Sequence, residues 1–157
     1  SRADDNHRSP VDVDHILELA IGLTSNEIRH RARLVRHFNR PPAVSANEAR
    51  LGHVFINLLV NACEAIPEGQ ADRNEIRVTT RRDGLGRAVV EIADTGAGIA
   101  PALAGRIFDP FVTTKQKGTG LGLATCHAII VEHGGRIDVE TEVGKGTKMV
   151  VRIPGSR

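Results

Sequence analysis

The sequence predicts an α+β fold in which a mixed sheet carries helices packed on one face, and three observations predict it. Three stretches repeat apolar residues at helical spacing. Between and after them lie strand-like runs that pair off around glycine-bearing turns. No internal repeat is present, and 157 residues give room for one domain with a single core.

The elements follow in chain order. Ser1 to Pro10 is polar and reads as a linker or chain edge, leaving residues 11–157 as the folded domain. Val13, Ile16, Leu17, Ala20 and Leu23 recur at helical spacing, with Asp12 or Asp14 suited to the helix start. Arg33 to Phe38 reads as a strand stopped by Asn39, Pro41 and Pro42. A second helix is expected from about Ala46 to Ile66, with Ser45 as its cap and Glu48 three residues on. Pro67 to Asn74 is a polar loop, and Glu75–Arg82 and Arg87–Asp94 form strands joined at the turn Asp83-Gly84-Leu85-Gly86. Pro101 to Arg106 suits a short helix. A glycine-rich stretch from Lys115 to Gly122 runs into a third long helix, Leu121 to His133, ended by Gly134-Gly135. Arg136–Glu142 and Thr147–Ile153 close the sheet through Gly144 and Gly146.

Composition excludes several functions. Tryptophan and tyrosine are absent and phenylalanine occurs four times, so the core must rest on Leu, Ile, Val and Ala. A net charge of +2 is too small to mark a nucleic-acid surface. Cys63 and Cys126 have no metal-ligand spacing and read as free core thiols. No apolar run has the length of a membrane span and no signal peptide opens the chain, so a cytoplasmic domain without membrane contact is expected. The basic run Arg29, His30, Arg31, Arg33, Arg36, His37 and Arg40 reads as a solvated face, with docking of an acidic partner as the alternative. His127 and His133 read as structural or surface residues.

Chemistry concentrates on the second helix and two glycine loops. At about 3.6 residues per turn, Leu51, Val54, Phe55, Leu58, Ala62 and Ala65 share one broad apolar face, while Ile56, Val60 and Cys63 make the opposite side apolar. Between them runs a polar stripe of Arg50, His53, Asn57, Asn61 and Glu64. Such a stripe is either a set of satisfied core hydrogen bonds or the wall of a polar-ligand pocket. The carboxamides of Asn57 and Asn61 project together, and an amide oxygen suits Mg²⁺ beside phosphate oxygens and waters. Asp94-Thr95-Gly96-Ala97-Gly98-Ile99 follows a strand directly; it is either a plain turn or a place where the backbone meets a flat ligand. A carboxylate fixed there accepts from the exocyclic amine of adenine, where guanine presents an acceptor. Gly118-Thr119-Gly120-Leu121-Gly122-Leu123 opens the third helix, where backbone N–H groups favour phosphate. Its spacing is neither that of a dinucleotide fingerprint nor that of a P-loop. Lys115 and Lys117 just before it are solvated charges or phosphate contacts, and contact is favoured for Lys115.

These segments resemble, in order, the signature boxes of histidine kinases. Asn57-Leu58-Leu59-Val60-Asn61-Ala62-Cys63-Glu64-Ala65 resembles the asparagine box, and Asp94-Thr95-Gly96-Ala97-Gly98 the first glycine box. Phe108-Asp109-Pro110-Phe111 is similar to the phenylalanine box, Gly118 to Leu123 to the second glycine box, and Gly144-Lys145-Gly146-Thr147 to the last. Five boxes in register span roughly residues 11 to 153. The resemblance implies the Bergerat-type ATP-binding fold of gyrase, the large heat-shock chaperones, histidine kinases and MutL: a two-layer α/β sandwich with a mixed, mostly antiparallel sheet and about three long helices on one face.

Carried over by position, the resemblance implies ATP and Mg²⁺ as cofactors. Asn61 would hold the metal, and Asn57 and Lys115 would act with it at the reacting phosphates. Asp94 would bind the adenine amine, with Gly98 against the base, Gly96 and Ile99 in the same nucleotide-binding set, and Thr147 reaching the base directly or through water. Phe108 and Phe111 would anchor a short lid, Val112 to Gly118. Glu64, Gly118, Thr119, Gly120, Leu121, Gly122 and Leu123 complete the implied nucleotide-binding set. Hydrolysing members of the superfamily carry a glutamate four residues before the magnesium asparagine; here Asn57 stands there, so no base for water attack is evident. None of His7, His15, His30 or His37 is followed by an acidic residue in the manner of a phosphoacceptor histidine. The implied function is therefore γ-phosphoryl transfer to a histidine on a separate phosphoacceptor helical domain of the same, dimeric protein, which would pass it to a response-regulator receiver domain. The alternatives are a nucleotide-binding regulatory module without transfer, and an ATPase of the gyrase or chaperone type.

Overall fold

The computed structural model describes residues 7–112 and 122–156. Helix α1 (Val13–Arg29) starts where the Asp12 carboxylate accepts from the backbone N–H groups of Asp14 and His15 at 3.0 and 3.3 Å. Its apolar positions Val13, Ile16, Leu17, Ala20, Ile21 and Ile28 are buried. A two-stranded ribbon lies ahead of and after it: β1 (Ser9–Val11) pairs antiparallel with β3 (Val44–Ala46). Ser9 and Pro10, within the stretch expected to be a linker, therefore belong to a strand.

Helix α2 (Glu48–Glu64) is capped by Asn47, whose side chain accepts from the Arg50 N–H at 3.0 Å. Ser45 is not the cap, because it lies within β3, held extended by its register with Pro10. The other expected elements appear with small shifts of boundary: β2 (Arg33–Phe38), β4 (Glu75–Arg82), β5 (Ala88–Asp94), α3 (Pro101–Ala104), α4 (Gly122–Glu132), β6 (Arg136–Glu142) and β7 (Gly146–Ile153). The stretch expected as a polar loop before β4 contains a 3₁₀ turn, Ala71–Arg73. At the β4–β5 turn the Asp83 carboxylate accepts from the backbone N–H groups of Leu85 and Arg87, which holds its pKa down at about 2.

The five-stranded sheet has the order β2-β4-β5-β7-β6. Only the β2–β4 pair is parallel, and β3 and α2 form the crossover it requires. Alternation along the strands turns Ile76, Val78, Val90, Ile92, Met149 and Val151 toward the helices, where they join Leu17, Leu51, Phe55 and Leu58 in one core. The aliphatic core is as expected, except that Phe55 is among the largest fully buried side chains. Val89, on the opposite face, is also fully buried; register sets it between Arg81 and Arg152, whose long stems can cover it. Both cysteines are free and buried, and burial pushes each thiol up to about 11.

The basic run is not uniformly solvated. Arg36 pairs with Glu18 at 2.7 Å on the surface, but Arg31 turns inward. Its guanidinium donates to the carbonyls of Cys63 at 3.3 Å and Ile66 at 2.6 Å, satisfying acceptors at the C-terminal end of α2. His133 is also structural: its Nδ1 meets the Ile129 carbonyl at 2.7 Å and its Nε2 faces the Asn47 backbone N–H at 3.3 Å.

Candidate functional site

The polar stripe on α2 lies at an edge of the helical layer. Arg50, Asn57 and Asn61 are half-buried, and His53 and Glu64 are exposed, so the stripe opens outward instead of closing into the core. Ile56 and Val60 are only half-buried, so the second apolar side is less covered than expected. Asn57 Nδ2 lies 3.0 Å from His53 Nε2, one turn earlier. Helix α4 begins over this stripe: a Cβ placed on Gly122 would stand 3.9 Å from Asn57 Oδ1. Leu123 beside it is half-buried against the core.

The loop after β5 packs on the end of the same helix. The Ala97 N–H donates to the Ala65 carbonyl at 3.3 Å, one turn beyond Asn61. A Cβ at Gly96 would fall 2.5 Å from that carbonyl oxygen. Gly98 holds φ at +76° and has no room for a side chain either, because a Cβ would sit 2.2 Å from the Glu142 carbonyl oxygen. These two glycines are therefore required by approach of protein backbone, whatever ligand lies alongside.

Asp94 closes β5 half-buried, and its Oδ1 accepts from the Gly96 N–H at 2.8 Å. Burial raises its pKa to about 6, against hydrogen bonds from the Gly96 and Thr147 backbone that lower it. The pleat and register set Ile76, Asp94, Thr147 and Thr141 in one row across four strands. Thr147 is 8% exposed, and its hydroxyl lies 2.9 Å from that of Thr141. Thr141 in turn accepts from the Ile99 N–H at 2.9 Å. Thr141 escaped the sequence reading because nothing local marks it; only its position opposite Thr147 in the closing hairpin points to it. Ile99 lines an open groove of about 790 Å³ with Pro101, Ala104, Val139 and Thr141.

Phe108 is half-buried and stacks on His127 with ring centroids 5.4 Å apart, tying the segment after α3 to α4. Phe111 differs from its expected anchoring role: it is 74% exposed, at φ +69°. Lys115, Lys117, Gly118, Thr119, Gly120 and Leu121, with the expected lid from residue 113 onward, lie outside the described residues.

The structure thus joins the helix carrying Asn57 and Asn61, the end of β5 at Asp94 with the following loop at Gly98, and the hairpin carrying Thr147. Among the described residues no three His, Cys, Asp or Glu side chains cluster to hold a metal. A divalent ion here would depend on amide oxygens together with ligand oxygens and waters, a donor set that fits Mg²⁺.

Known proteins share this fold. Residues 46–157 match the family described as histidine kinase-, DNA gyrase B-, and HSP90-like ATPase. The sensor histidine kinase ZraS of Escherichia coli K12 is 36% identical over 146 residues, which cover 92% of this chain and 30% of that protein. The catalytic domain of the histidine kinase ThkA superposes with a TM-score of 0.80 at 30% identity, covering 94% of this chain and 95% of that one. Full-length ShkA in complex with AMPPNP gives the same TM-score and identity over 94% of this chain and 31% of its own. The chain spans 22–31% of the length of the first curated relatives it matches.

Proposed function

The chain belongs to the histidine kinase-, DNA gyrase B-, and HSP90-like ATPase family, and we propose that it binds Mg-ATP and passes the γ-phosphoryl group to a histidine on a phosphoacceptor helical domain. The observation that carries this reading is the junction of α2 with the β5 loop, which puts a half-buried strand-end carboxylate beside a helix edge bearing two carboxamides. Asp94 accepts the adenine amine, and its partial burial makes that bond selective, because a guanine carbonyl there would face a carboxylate. Asn57 and Asn61 present amide oxygens to the phosphate end. Asn61 would hold Mg²⁺, which would supply neutralisation of the phosphate charge.

The acceptor imidazole nitrogen attacks the γ-phosphorus in line as the bond to the β–γ bridging oxygen breaks, and ADP leaves. This chain contributes positioning and charge complementarity, which is most of what phosphoryl transfer asks of a protein. Asn57 is an amide hydrogen-bonded to His53 and offers no carboxylate base for water, which favours transfer over hydrolysis. A receiver-domain aspartate of a response regulator is the onward acceptor.

The test is to supply the phosphoacceptor domain of the parent protein with this chain and γ-labelled ATP. Label on a histidine, lost in Asn61→Ala, is the expected result. ATP binding with no label would identify a regulatory module, and steady phosphate release without acceptor would identify an ATPase.

A further inference from the structure

The two ends of the Asn57 carboxamide are not interchangeable where a metal and phosphates meet, because the oxygen attracts a cation and the NH₂ group repels it. Three neighbours decide which end faces out. Nδ2 lies 3.0 Å from His53 Nε2, one turn earlier on α2. The Asn57 side chain also hydrogen-bonds the Cys126 sulfur on α4, whose own hydrogen is directed at the Val54 carbonyl at 3.8 Å. A thiol with its hydrogen so committed can only accept, so this bond too comes from Nδ2. Both amide hydrogens are then used, one on His53 and one on Cys126. The oxygen faces the start of α4, where Gly122 puts no side chain against it; a Cβ there would stand 3.9 Å away, in contact.

We propose that His53 is a positioning residue for the phosphate end of the nucleotide site, holding the Asn57 oxygen toward that end by accepting from Nδ2. The inference rests on the reading in which Asn57 and Asn61 offer amide oxygens to Mg-ATP. To accept, Nε2 must be bare, so the neutral ring carries its proton on Nδ1. The opposite tautomer would donate to the Asn57 oxygen and turn the NH₂ group toward the phosphate end instead. His53 thus acts through Asn57 and by the choice of one ring nitrogen. Leucine at this position cannot accept, which frees the amide to reverse. Glutamine, one turn before an asparagine on a helix, carries an oxygen that can take the place of Nε2.

Two measurements on this chain test it. In nitrogen-15 spectra at roughly pH 8, where free imidazole is neutral, His53 should show a protonated Nδ1 and a bare Nε2. ADP is then titrated with and without Mg²⁺. His53→Leu should shrink the strengthening by Mg²⁺ about fivefold, the worth of one hydrogen bond, while affinity without metal stays within about twofold of wild type. His53→Gln should keep the wild-type metal effect within about twofold. Thermal melts check that each variant is folded, and His53→Ala gives the same comparison should the leucine variant fold poorly. A proton on Nε2, an undiminished metal effect in His53→Leu, or no recovery in His53→Gln would overturn the proposal. Equal loss with and without Mg²⁺ would also overturn it, by reducing His53 to a structural role. A wild type with no metal effect would instead sink the magnesium reading on which the proposal rests.

Discussion

At the scale of single residues, Asp94 has the most to lose from its position. Its pKa of about 6 against an ordinary 3.8 means that the folded state binds a proton more tightly than the unfolded chain. The sign follows: the contribution to stability is full below about pH 4 and is lost as pH rises through 6, on the order of 2–3 kcal/mol. Denaturant melts from pH 4 to 7 should show this loss in the wild type and not in Asp94→Asn. Parallel pH curves for the two proteins would contradict it. In the ionised form the carboxylate is the better acceptor, so affinity for adenosine should fall about five- to tenfold as pH drops from 7 to 5, again only in the wild type. The residue type and its place after a strand were legible in the sequence. The burial that shifts its titration was not, because it comes from α2 and β7, distant in the chain.

At the scale of elements, periodicity located the long helices and the main strands, but capping and glycine chemistry needed the tertiary frame. Asn47, not Ser45, starts α2, since pairing with Ser9–Val11 keeps the chain extended through Ala46. Asn47→Ala removes the cap and the bond from its Nδ2 to the His7 carbonyl, and should cost about 1–2 kcal/mol in chemical denaturation. Asn47→Asp should recover most of that loss, which would fail to occur if the cap were incidental. Gly96 and Gly98 were legible as glycines that matter, though their reason is backbone packing as much as room for a ligand. Gly98→Ala meets both an unfavourable φ of +76° and the Glu142 carbonyl, and should destabilise by about 3 kcal/mol or more. A thermal melt unchanged by that substitution would contradict the packing seen between the β5 loop and the β6–β7 turn.

At the scale of the whole molecule, one sheet and one helical layer share a core, and the site forms where α2, the β5 end and the closing hairpin meet. The α+β class was legible because helical and strand periods alternate cleanly; the β2–β4 parallel pair and the small β1–β3 ribbon were not, being set by contacts far apart in sequence. Leu58, 1% exposed on the core face of α2, holds that helix to the sheet, and Leu58→Ala should cost about 3–5 kcal/mol. Loss of that size would weaken nucleotide binding by disturbing the fold, so Asn61→Ala, on the open edge, is the cleaner probe. Calorimetric titration of ADP into this chain, with and without Mg²⁺, tests convergence on one adenine nucleotide most directly. ADP should bind with micromolar-class affinity that strengthens about tenfold with Mg²⁺, the metal effect should be abolished in Asn61→Ala, and GDP should not bind comparably. Binding of ADP and GDP with equal strength, or a metal effect that survives Asn61→Ala, would contradict it.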